Sequence, residues 1–327
     1  MDFGQPQKQF GENEVERKDT LHEILAMERY AKNEMIISTD SLSSPRTREL
    51  CKNKLEKCAY YASKGMCRDL SRMDFMMSNC PLACQMCDVV ENFERCVGMR
   101  STKVEPLFTS SDEEEGTVMT VDAFFKAGRD EGTWVGQKTE LEMDLGFIVQ
   151  PMESNNFEDP WIVKIENFMS EQECKDFIQN DGSDENRMET LILERISSSF
   201  QLPSTHFSPF QVNRFNANTS RVNGGIQHDY SIHDVWKPAG PKVLSFYLTL
   251  SIVEEGGELG FPELDWLLIQ PKIGQLIMWP NVVSTNPEKD DKRMIREELP
   301  VIMGEKHSAH VSAHLYDWQD AKERQCV

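Results

Sequence analysis

Six cysteines within 37 residues constrain the fold of this chain more than any other feature. They follow the spacing C-x6-C-x8-C-x12-C-x3-C-x2-C between Cys51 and Cys87. A segment this short buries too little apolar surface to fold without cross-links. The close pair Cys84 and Cys87 also suits half of a zinc site, but the second CxxC that such a site needs is missing. Three disulfides are the favoured interpretation, and the spacing alone allows fifteen pairings.

The same segment resembles the ShK toxin-like family of small disulfide modules. Besides the cysteines, the matching elements are Tyr61-Ala-Ser-Lys-Gly65, Met76 and Cys-Pro-Leu-Ala-Cys-Gln-Met-Cys at 80–87. In enzymes such modules serve as accessory or docking units, so the resemblance implies docking of a protein partner. It also implies a specific set of disulfides, which are Cys51–Cys87, Cys58–Cys80 and Cys67–Cys84.

A disulfide module predicts an oxidising compartment, either the endoplasmic reticulum or the secreted space. The first residues contain no basic stretch followed by an apolar one, so no signal peptide is visible. An upstream start, an unrecognised export route or reduced cysteines would each explain this conflict. No run approaches the roughly 20 apolar residues of a membrane span, so no transmembrane segment is expected. The formal net charge of −20 argues against nucleic-acid binding, because phosphate would be repelled.

Outside the module, the sequence predicts short helices around Thr20–Asn33 and Val121–Ala127 and a solvated acidic run at Ser110–Gly116. Ser170 and Glu173 form a capping box at the start of a further helix. Cys96 is expected to be an outlier beyond the module. Predicted strands follow from alternating apolar residues between Gly and Pro turns. They cover Trp161–Phe168, Pro209–Phe215, Lys242–Ser251, Leu267–Gln270, Gly274–Trp279, Pro300–Met303 and Ser308–Tyr316.

These elements predict a mainly β fold with flanking helices, either a β-sandwich or a jelly roll. The chain is expected to divide into five segments. They are a polar N-terminal segment (1–50), the ShK-like helical module (51–87), an acidic linker with a short helix (88–158), a β domain (159–318) and a tail (319–327).

An ordered set of phrases in the β domain resembles the prolyl 4-hydroxylase branch of the 2-oxoglutarate and Fe(II)-dependent dioxygenases. The phrases are Asp159-Pro-Trp-Ile-Val-Lys-Ile-Glu-Asn-Phe168, Glu171-x-Glu-Cys174, Pro238–Ser251, Glu254-Glu-Gly-Gly257, Phe261-Pro262, Pro271-Lys-x-Gly274, Trp279-Pro280 and Leu299-Pro-Val301-x-x-Gly-Glu-Lys306. The resemblance covers residues 159–318. It implies a double-stranded β-helix that uses Fe(II), 2-oxoglutarate, O2 and ascorbate to hydroxylate proline in a peptide or protein substrate, including proline-rich ones.

The ligand positions of that family match only in part. Its iron is held by an H-x-D motif and a later histidine, which leave three coordination positions open. Asp229 matches the carboxylate, but Gln227 stands at the first histidine and Arg296, in Arg296-Glu-Glu-Leu-Pro-Val301, stands at the second. None of the seven histidines is followed two residues later by Asp or Glu. Lys306, ten residues after Arg296, matches the lysine that pairs with 2-oxoglutarate.

The two replacements change the expected chemistry. A glutamine amide is a weak ligand for Fe(II), and the permanently charged guanidinium of Arg296 offers no lone pair. Arg296 could instead pair with Asp229 as a salt bridge. Iron binding becomes improbable, which makes a catalytically degenerate module that binds a peptide or protein the alternative to hydroxylation.

Other histidines provide a second alternative. His228 precedes Asp229, and a bulge could turn its side chain inward as a substitute ligand. The remaining candidates are His233 on a loop and His307, His310 and His314 near Lys306. Tyr230, Phe246, Tyr247 and Trp279 could line a peptide groove, although core packing is the favoured interpretation for Phe246 and Trp279.

Overall fold

The computed structural model describes residues 4–33, 45–69, 72–96, 105–110, 119–130, 144–147, 161–179, 187–217, 226–231, 234–235 and 237–327. The chain divides into two compact units. The first is Met1–Arg100 together with Cys326, and the second is Ser101–Gln325 together with Val327. The predicted acidic run lies largely outside the described residues, since 111–118 are not among them.

The first unit is helical and held together by disulfides. Three of them pair Cys51 with Cys87, Cys58 with Cys80 and Cys67 with Cys84, which are the pairs that the ShK resemblance implies. A fourth joins Cys96 to Cys326, so Cys96 stands outside the three pairs of the module, as expected, and is itself disulfide-bonded. The helices are α1 (Glu14–Lys32), α2 (Pro45–Leu50), α3 (Cys58–Ser63), α4 (Met73–Asn79) and α5 (Val90–Cys96), with a 3-10 turn at Met66–Arg68.

The described part of the N-terminal segment packs onto this module. The Gln7 side chain donates to the Leu55 carbonyl at 2.8 Å and accepts from the Ala59 amide at 2.9 Å. The Tyr30 hydroxyl accepts from the Cys87 amide at 3.3 Å. Helix α1 begins after Asn13, whose side chain caps the amide of Glu16 at 2.9 Å. The unit therefore extends beyond residues 51–87.

The second unit is a jelly roll with flanking helices, which confirms the predicted fold class. Its helices are α6 (Val121–Asp130), α7 (Glu171–Gln179), α8 (Arg187–Phe200) and α9 (Trp318–Glu323). Its strands are β1 (Asp144–Phe147), β2 (Val163–Glu166), β3 (Gln211–Asn216), β4 (Ile226–Gln227), β5 (Lys242–Thr249), β6 (Val253–Gly256), β7 (Leu259–Phe261), β8 (Leu267–Ile269), β9 (Leu276–Pro280), β10 (Val282–Val283), β11 (Asn286–Asp290), β12 (Arg296–Glu298) and β13 (Val301–His314). Further 3-10 turns lie at Ser204–His206 and Lys292–Met294.

Within the described ranges, these strands all pair in antiparallel fashion. The larger sheet has the order β1-β2-β9-β5-β13-β3, and β6 also pairs with β13. A four-stranded sheet has the order β4-β12-β7-β8, and β10 pairs with β11. Strand β1 extends the larger sheet although it lies within the segment predicted as a linker.

Alternation along the strands separates the two faces of the larger sheet. Leu244, Phe246 and Leu248 of β5 pack with apolar residues of α7 and α8 in one core cluster. The intervening Tyr247 packs in a second cluster with residues of the four-stranded sheet, including Leu259. The two sheets therefore face each other, and inward-pointing residues of β5, β9, β12 and β13 lie between them.

Two local features follow from the sequence. The Ser170 amide donates to Glu173 Oε2 at 2.8 Å and the Glu173 amide donates to Ser170 Oγ at 3.2 Å, which is the predicted capping box at the start of α7. Cys174 of this helix is buried and is the one free cysteine of the chain. Burial raises the pKa of its thiol to about 11. Among the helices within the described ranges, none is both long and apolar enough to cross a bilayer.

Candidate functional site: a buried chain of charges

Four charged side chains lie in a row between the two sheets. We call Asp229, Arg296, Glu298 and Lys306 the buried charge chain. Their side chains are 10%, 5%, 3% and 1% exposed, respectively. Arg296 and Glu298 are two residues apart on β12, so both point to the same face, and Lys306 on β13 faces them. Unpaired charges are rarely buried this deeply, which makes their partners decisive.

Asp229 and Arg296 form a two-point ion pair. Arg296 Nε lies 3.1 Å from Asp229 Oδ2, and Nη2 lies 3.1 Å from Oδ1. This fork geometry is the strongest form of an arginine–carboxylate contact. Ser245 Oγ donates to Asp229 Oδ2 at 3.0 Å and accepts from Asn281 Nδ2 at 2.9 Å. Both carboxylate oxygens of Asp229 are therefore occupied by donors of the chain itself.

Glu298 and Lys306 form the second half of the chain. Lys306 Nζ lies 3.1 Å from Glu298 Oε2 and donates to the Gly257 carbonyl at 2.7 Å. The Tyr247 hydroxyl donates to the same Glu298 oxygen at 2.7 Å. Arg296 Nη1 lies 3.7 Å from Glu298 Oε1 and joins the two halves. The formal charges alternate along the row and sum to zero.

The environment of these groups shifts their pKa values. Burial alone would raise the pKa of Asp229, but its contacts with His310 and Arg296 outweigh it and hold this pKa well below its usual value. Burial is the main cause that lowers the pKa of Lys306, and Glu298 opposes it. Burial, followed by the charge of Glu298, raises the pKa of Tyr247 well above its usual value. Tyr247 therefore stays a neutral donor.

Gln227 and His228 occupy different surroundings. The backbone of Gln227 on β4 is paired in register with Arg296, so the two altered ligand positions are neighbours. His228 stacks on the Tyr230 ring at a centroid distance of 6.1 Å, and its Nε2 atom is buried without a hydrogen-bond partner. The Tyr230 hydroxyl donates to the Glu288 carbonyl at 2.6 Å.

The remaining histidines are dispersed, and only one of those described comes close to Asp229. His310 Nε2 lies 3.4 Å from Asp229 Oδ2, and its ring stacks on Trp279 at 6.1 Å. His307 Nε2 lies 3.0 Å from Glu305, and His314 Nδ1 lies 3.0 Å from the Gly240 carbonyl. His233 falls outside the described residues. Within the ranges that the structure describes, no three His, Cys, Asp or Glu side chains are grouped to hold a metal.

The donors at this position do not suit Fe(II). A guanidinium cannot coordinate a metal, and its positive charge lies 3.1 Å from the carboxylate that would have to do so. Gln227 would add one neutral amide oxygen, and His310 one imidazole. A cation at Asp229 would have to displace Arg296 from both oxygens and then face its charge.

Lys306 is also poorly placed to receive 2-oxoglutarate. Its ammonium contacts Glu298 and the Gly257 carbonyl, and its side chain is only 1% exposed. A free dicarboxylate would have to replace the Glu298 carboxylate there. Three of the four aromatic residues expected to line a peptide groove are inaccessible, since Phe246, Tyr247 and Trp279 are at most 1% exposed, whereas Tyr230 is partly exposed.

Glu298 and Ser245 are the site residues that the sequence interpretation missed. For Glu298, a signal existed in Arg296-Glu-Glu298, because residues i and i+2 on a strand share a face. For Ser245 there was none, since a serine within an apolar strand is compatible with many local environments.

Comparison with known proteins identifies the disulfide module. Residues 50–87 match the family model described as ShK domain-like. Together with the disulfides of this segment, this confirms the predicted module. No curated protein sequence matches the chain. Several disulfides in an ShK-like module are compatible with the secretory pathway or the endoplasmic reticulum.

Among solved structures, the neighbours of this chain are prolyl hydroxylases and related oxygenases. A truncated form of the viral collagen prolyl hydroxylase from Paramecium bursaria Chlorella virus-1 has 24% identity and a TM-score of 0.40, covering 47% of this chain and 89% of the viral one. A prolyl-4-hydroxylase from Pseudomonas putida has 10% identity and a TM-score of 0.33, covering 65% of this chain and 96% of the bacterial one. A 2OG-Fe(II) oxygenase family protein from Burkholderia pseudomallei has 12% identity and a TM-score of 0.26, covering 66% and 97%.

Proposed function

We propose that this chain is a non-catalytic jelly-roll protein that binds a peptide or protein partner and does not hydroxylate it. One observation carries the proposal. Arg296 grips both oxygens of Asp229, the single retained iron-ligand position, at 3.1 Å each. Because the pair is buried, the guanidinium is held there by a strong charge-assisted contact. The role left to the protein is recognition.

Hydroxylation of peptidyl proline is the competing hypothesis. It is favoured by Asp229 and Lys306, which keep their family positions and both face the space between the sheets. For turnover, the chain would have to release Asp229 from Arg296 and Lys306 from Glu298. Each release leaves a buried charge without its partner, which costs several kcal/mol.

The deciding experiment measures turnover and binding on the same peptide. Purified full chain receives Fe(II), 2-oxoglutarate, ascorbate and a proline-rich peptide, and succinate is quantified. Isothermal titration with that peptide then measures binding, with and without Fe(II) and 2-oxoglutarate. We expect no succinate above background and a binding constant that is the same with and without them. Iron-dependent succinate release would overturn the non-catalytic assignment, and failure to bind this peptide would overturn the proposed recognition of proline-rich peptides.

A matched pair of variants checks that the correct positions carry this result. Gln227→His combined with Arg296→His supplies two imidazoles beside Asp229, and we expect this double variant to gain Co(II) binding visible in its absorption spectrum. The matched control, Gln227→Asn combined with Arg296→Lys, alters the same two positions without adding an imidazole and should gain no Co(II) binding. If the two variants gave equal spectra, Gln227 and Arg296 would not be at the metal-ligand positions.

The ShK-like module supplies the second part of the proposal. We propose that it docks a protein partner in the endoplasmic reticulum or outside the cell, where its disulfides would persist. Mass spectrometry of the protein from its native source, alkylated without reduction, tests this location. Recovery with free thiols at Cys51, Cys58 and Cys67 would contradict it.

A further inference from the structure

Three donors from three strands converge on the carboxylate of one glutamate. We infer that Glu298 is an internal ligand filling an anion site made by Lys306, Tyr247 and Arg296, and that this site accepts a small free carboxylate once the Glu298 side chain is removed. The inference deepens the proposed function, because the same buried charge chain carries both.

The geometry around Glu298 is that of a bound anion. Lys306 Nζ and Tyr247 Oη lie 3.1 Å and 2.7 Å from Oε2, and Arg296 Nη1 lies 3.7 Å from Oε1. Two positive charges and one hydroxyl therefore face one carboxylate that is 3% exposed. A buried cluster of this kind retains a strong preference for a negative charge at its centre, because little water is present to screen it.

Both cationic donors are also held by a partner other than Glu298. Arg296 is fixed by the two contacts with Asp229 and lies 5.7 Å from the Trp279 ring centre. Lys306 Nζ donates to the Gly257 carbonyl at 2.7 Å and lies 5.2 Å from the Tyr247 ring centre. Arg296 and Lys306 should therefore stay in place when Glu298 is shortened, and binding then needs little reorganisation.

Gly257 adds a steric reason for this placement. Its φ of +73° favours glycine, and a Cβ atom there would lie 3.2 Å from Lys306 Cδ and 3.3 Å from Val301 Cγ2. The absence of a side chain at residue 257 leaves room for the stem of Lys306 to pass toward Glu298.

The size of the vacated space defines the ligand. Truncation of Glu298 at Cβ removes one methylene and one carboxylate, which is the heavy-atom complement of acetate. We therefore expect a small monocarboxylate to bind, whereas benzoate would exceed the vacated volume. Acetamide has the shape of acetate without its charge, and chloride has the charge without its shape.

The experiment is chemical rescue of Glu298→Ala in the full chain. The thermal transition of the variant is measured in sodium chloride and in sodium acetate at equal ionic strength, across a series of acetate concentrations. Removing one partner of a buried charge pair should lower Tm by roughly 6–20 °C in chloride. Acetate should raise this Tm progressively with the logarithm of its concentration, as expected for binding to the folded state. Acetamide and benzoate should not.

Two variants on the same strand serve as controls. Glu297→Ala lies on the opposite face of β12, so acetate should change its Tm no more than that of the wild type. Glu298→Gln keeps the shape of the side chain, so it leaves no space and should show no acetate-specific gain. An equal acetate gain in Glu298→Ala and either control would overturn the inference.

Folding yield covers the case in which Glu298→Ala does not fold in chloride. The variant is then refolded from denaturant in each salt, and recovery of soluble protein from acetate alone supports the anion site. Recovery from neither salt overturns it. The two proposals stay separable, because succinate release is measured on the wild type. Turnover by the wild type would overturn the non-catalytic role but not the anion site. If the wild type is inactive and acetate fails to rescue Glu298→Ala, the anion site is overturned and the non-catalytic role is not.

Discussion

The cysteine-rich segment and the interior of the jelly roll hold their side chains together by different bonds. Residues 51–87 rely on three covalent cross-links between cysteines 17 to 36 residues apart. The jelly roll holds Asp229, Arg296, Glu298 and Lys306 by ion pairs and hydrogen bonds alone.

The difference lies in what each position can accept. A disulfide requires a cysteine at both ends, so the spacing of the cysteines states the constraint directly. A charged position between two sheets requires only a partner of opposite sign and suitable shape. Arg296 meets that need for Asp229, and Glu298 meets it for Lys306. Under the proposed function, a jelly roll can keep its fold after its chemistry is gone, whereas the disulfide segment cannot lose its cysteines and remain folded.

Reduction of the disulfides should have the largest effect. By loop entropy, each of the three bridges within residues 51–87 contributes about 3–4 kcal/mol, and the segment has little apolar core to replace them. We expect amide protection across residues 51–87 to disappear in a reducing agent while the amide protection of the jelly roll persists. Hydrogen exchange followed by mass spectrometry measures both, and Cys174→Ala should behave like the wild type. Protection that survives reduction would show that the helices hold without cross-links.

Breaking the buried charge chain should have the next largest effect. Arg296→Met leaves Asp229 and Glu298 buried without their shared cation and should cost about 3–5 kcal/mol of unfolding free energy. The matched control is Arg214→Met, since Arg214 pairs with Glu305 at 2.7 Å while 63% exposed. Surface pairs contribute little, so this variant should unfold at the wild-type denaturant concentration. Equal denaturation midpoints for the two variants would contradict a stabilising role for the buried charge chain.

A pH experiment tests a buried group outside the buried charge chain. The pKa of His314 is lowered from 6.5 to about 4, chiefly by burial. As pH falls from 6.5 toward 4, His314 binds a proton in the unfolded state but not in the folded state. The free energy of unfolding therefore falls across this window, by on the order of 3 kcal/mol. His314→Asn, which cannot titrate and keeps a donor near the Gly240 carbonyl, should lose this pH dependence. Denaturation midpoints at several pH values measure it, and an unchanged slope would assign it to other groups.

The smallest effect concerns an ordinary local contact of the jelly-roll unit. Ser170→Ala removes the side-chain acceptor of the capping box and should cost about 1 kcal/mol. Ser198→Ala on the exposed face of α8 is the control, and alanine there should be neutral or slightly stabilising because of its helix propensity. Chemical denaturation resolves both changes. If Ser170→Ala proved as stable as Ser198→Ala, the Arg195–Glu173 contact alone would fix the start of α7.

Sequence reasoning found six of the thirteen strands within the described ranges, those whose apolar pattern is evident in a single stretch of sequence. It divided β13 into two strands, at Pro300–Met303 and Ser308–Tyr316. The structure has one strand, Val301–His314, which pairs first with β6 and then with β5 and β3. Gly304, with a φ of +91°, lies in the irregular stretch where the register shifts, and a glycine there looks like a turn signal in the sequence.

Two features, the role of Glu298 and the Cys96–Cys326 disulfide, could be found only from the three-dimensional structure. The ion pair of Asp229 and Arg296 followed from the matched motif positions, but the role of Glu298 depends on which face of β12 turns inward. The Cys96–Cys326 disulfide joins residues 230 positions apart. No spacing pattern connects cysteines so distant, since only the folded chain brings them together.

The burial of Cys174 turns this residue into a reporter. With the other eight cysteines in disulfides, the oxidised protein carries a single free thiol, at 0% exposure on the core side of α7. A thiol reagent can reach it only when α7 moves away from the sheet or the whole unit opens. The rate of labelling therefore reports how often the structure opens around Cys174, without any engineered probe.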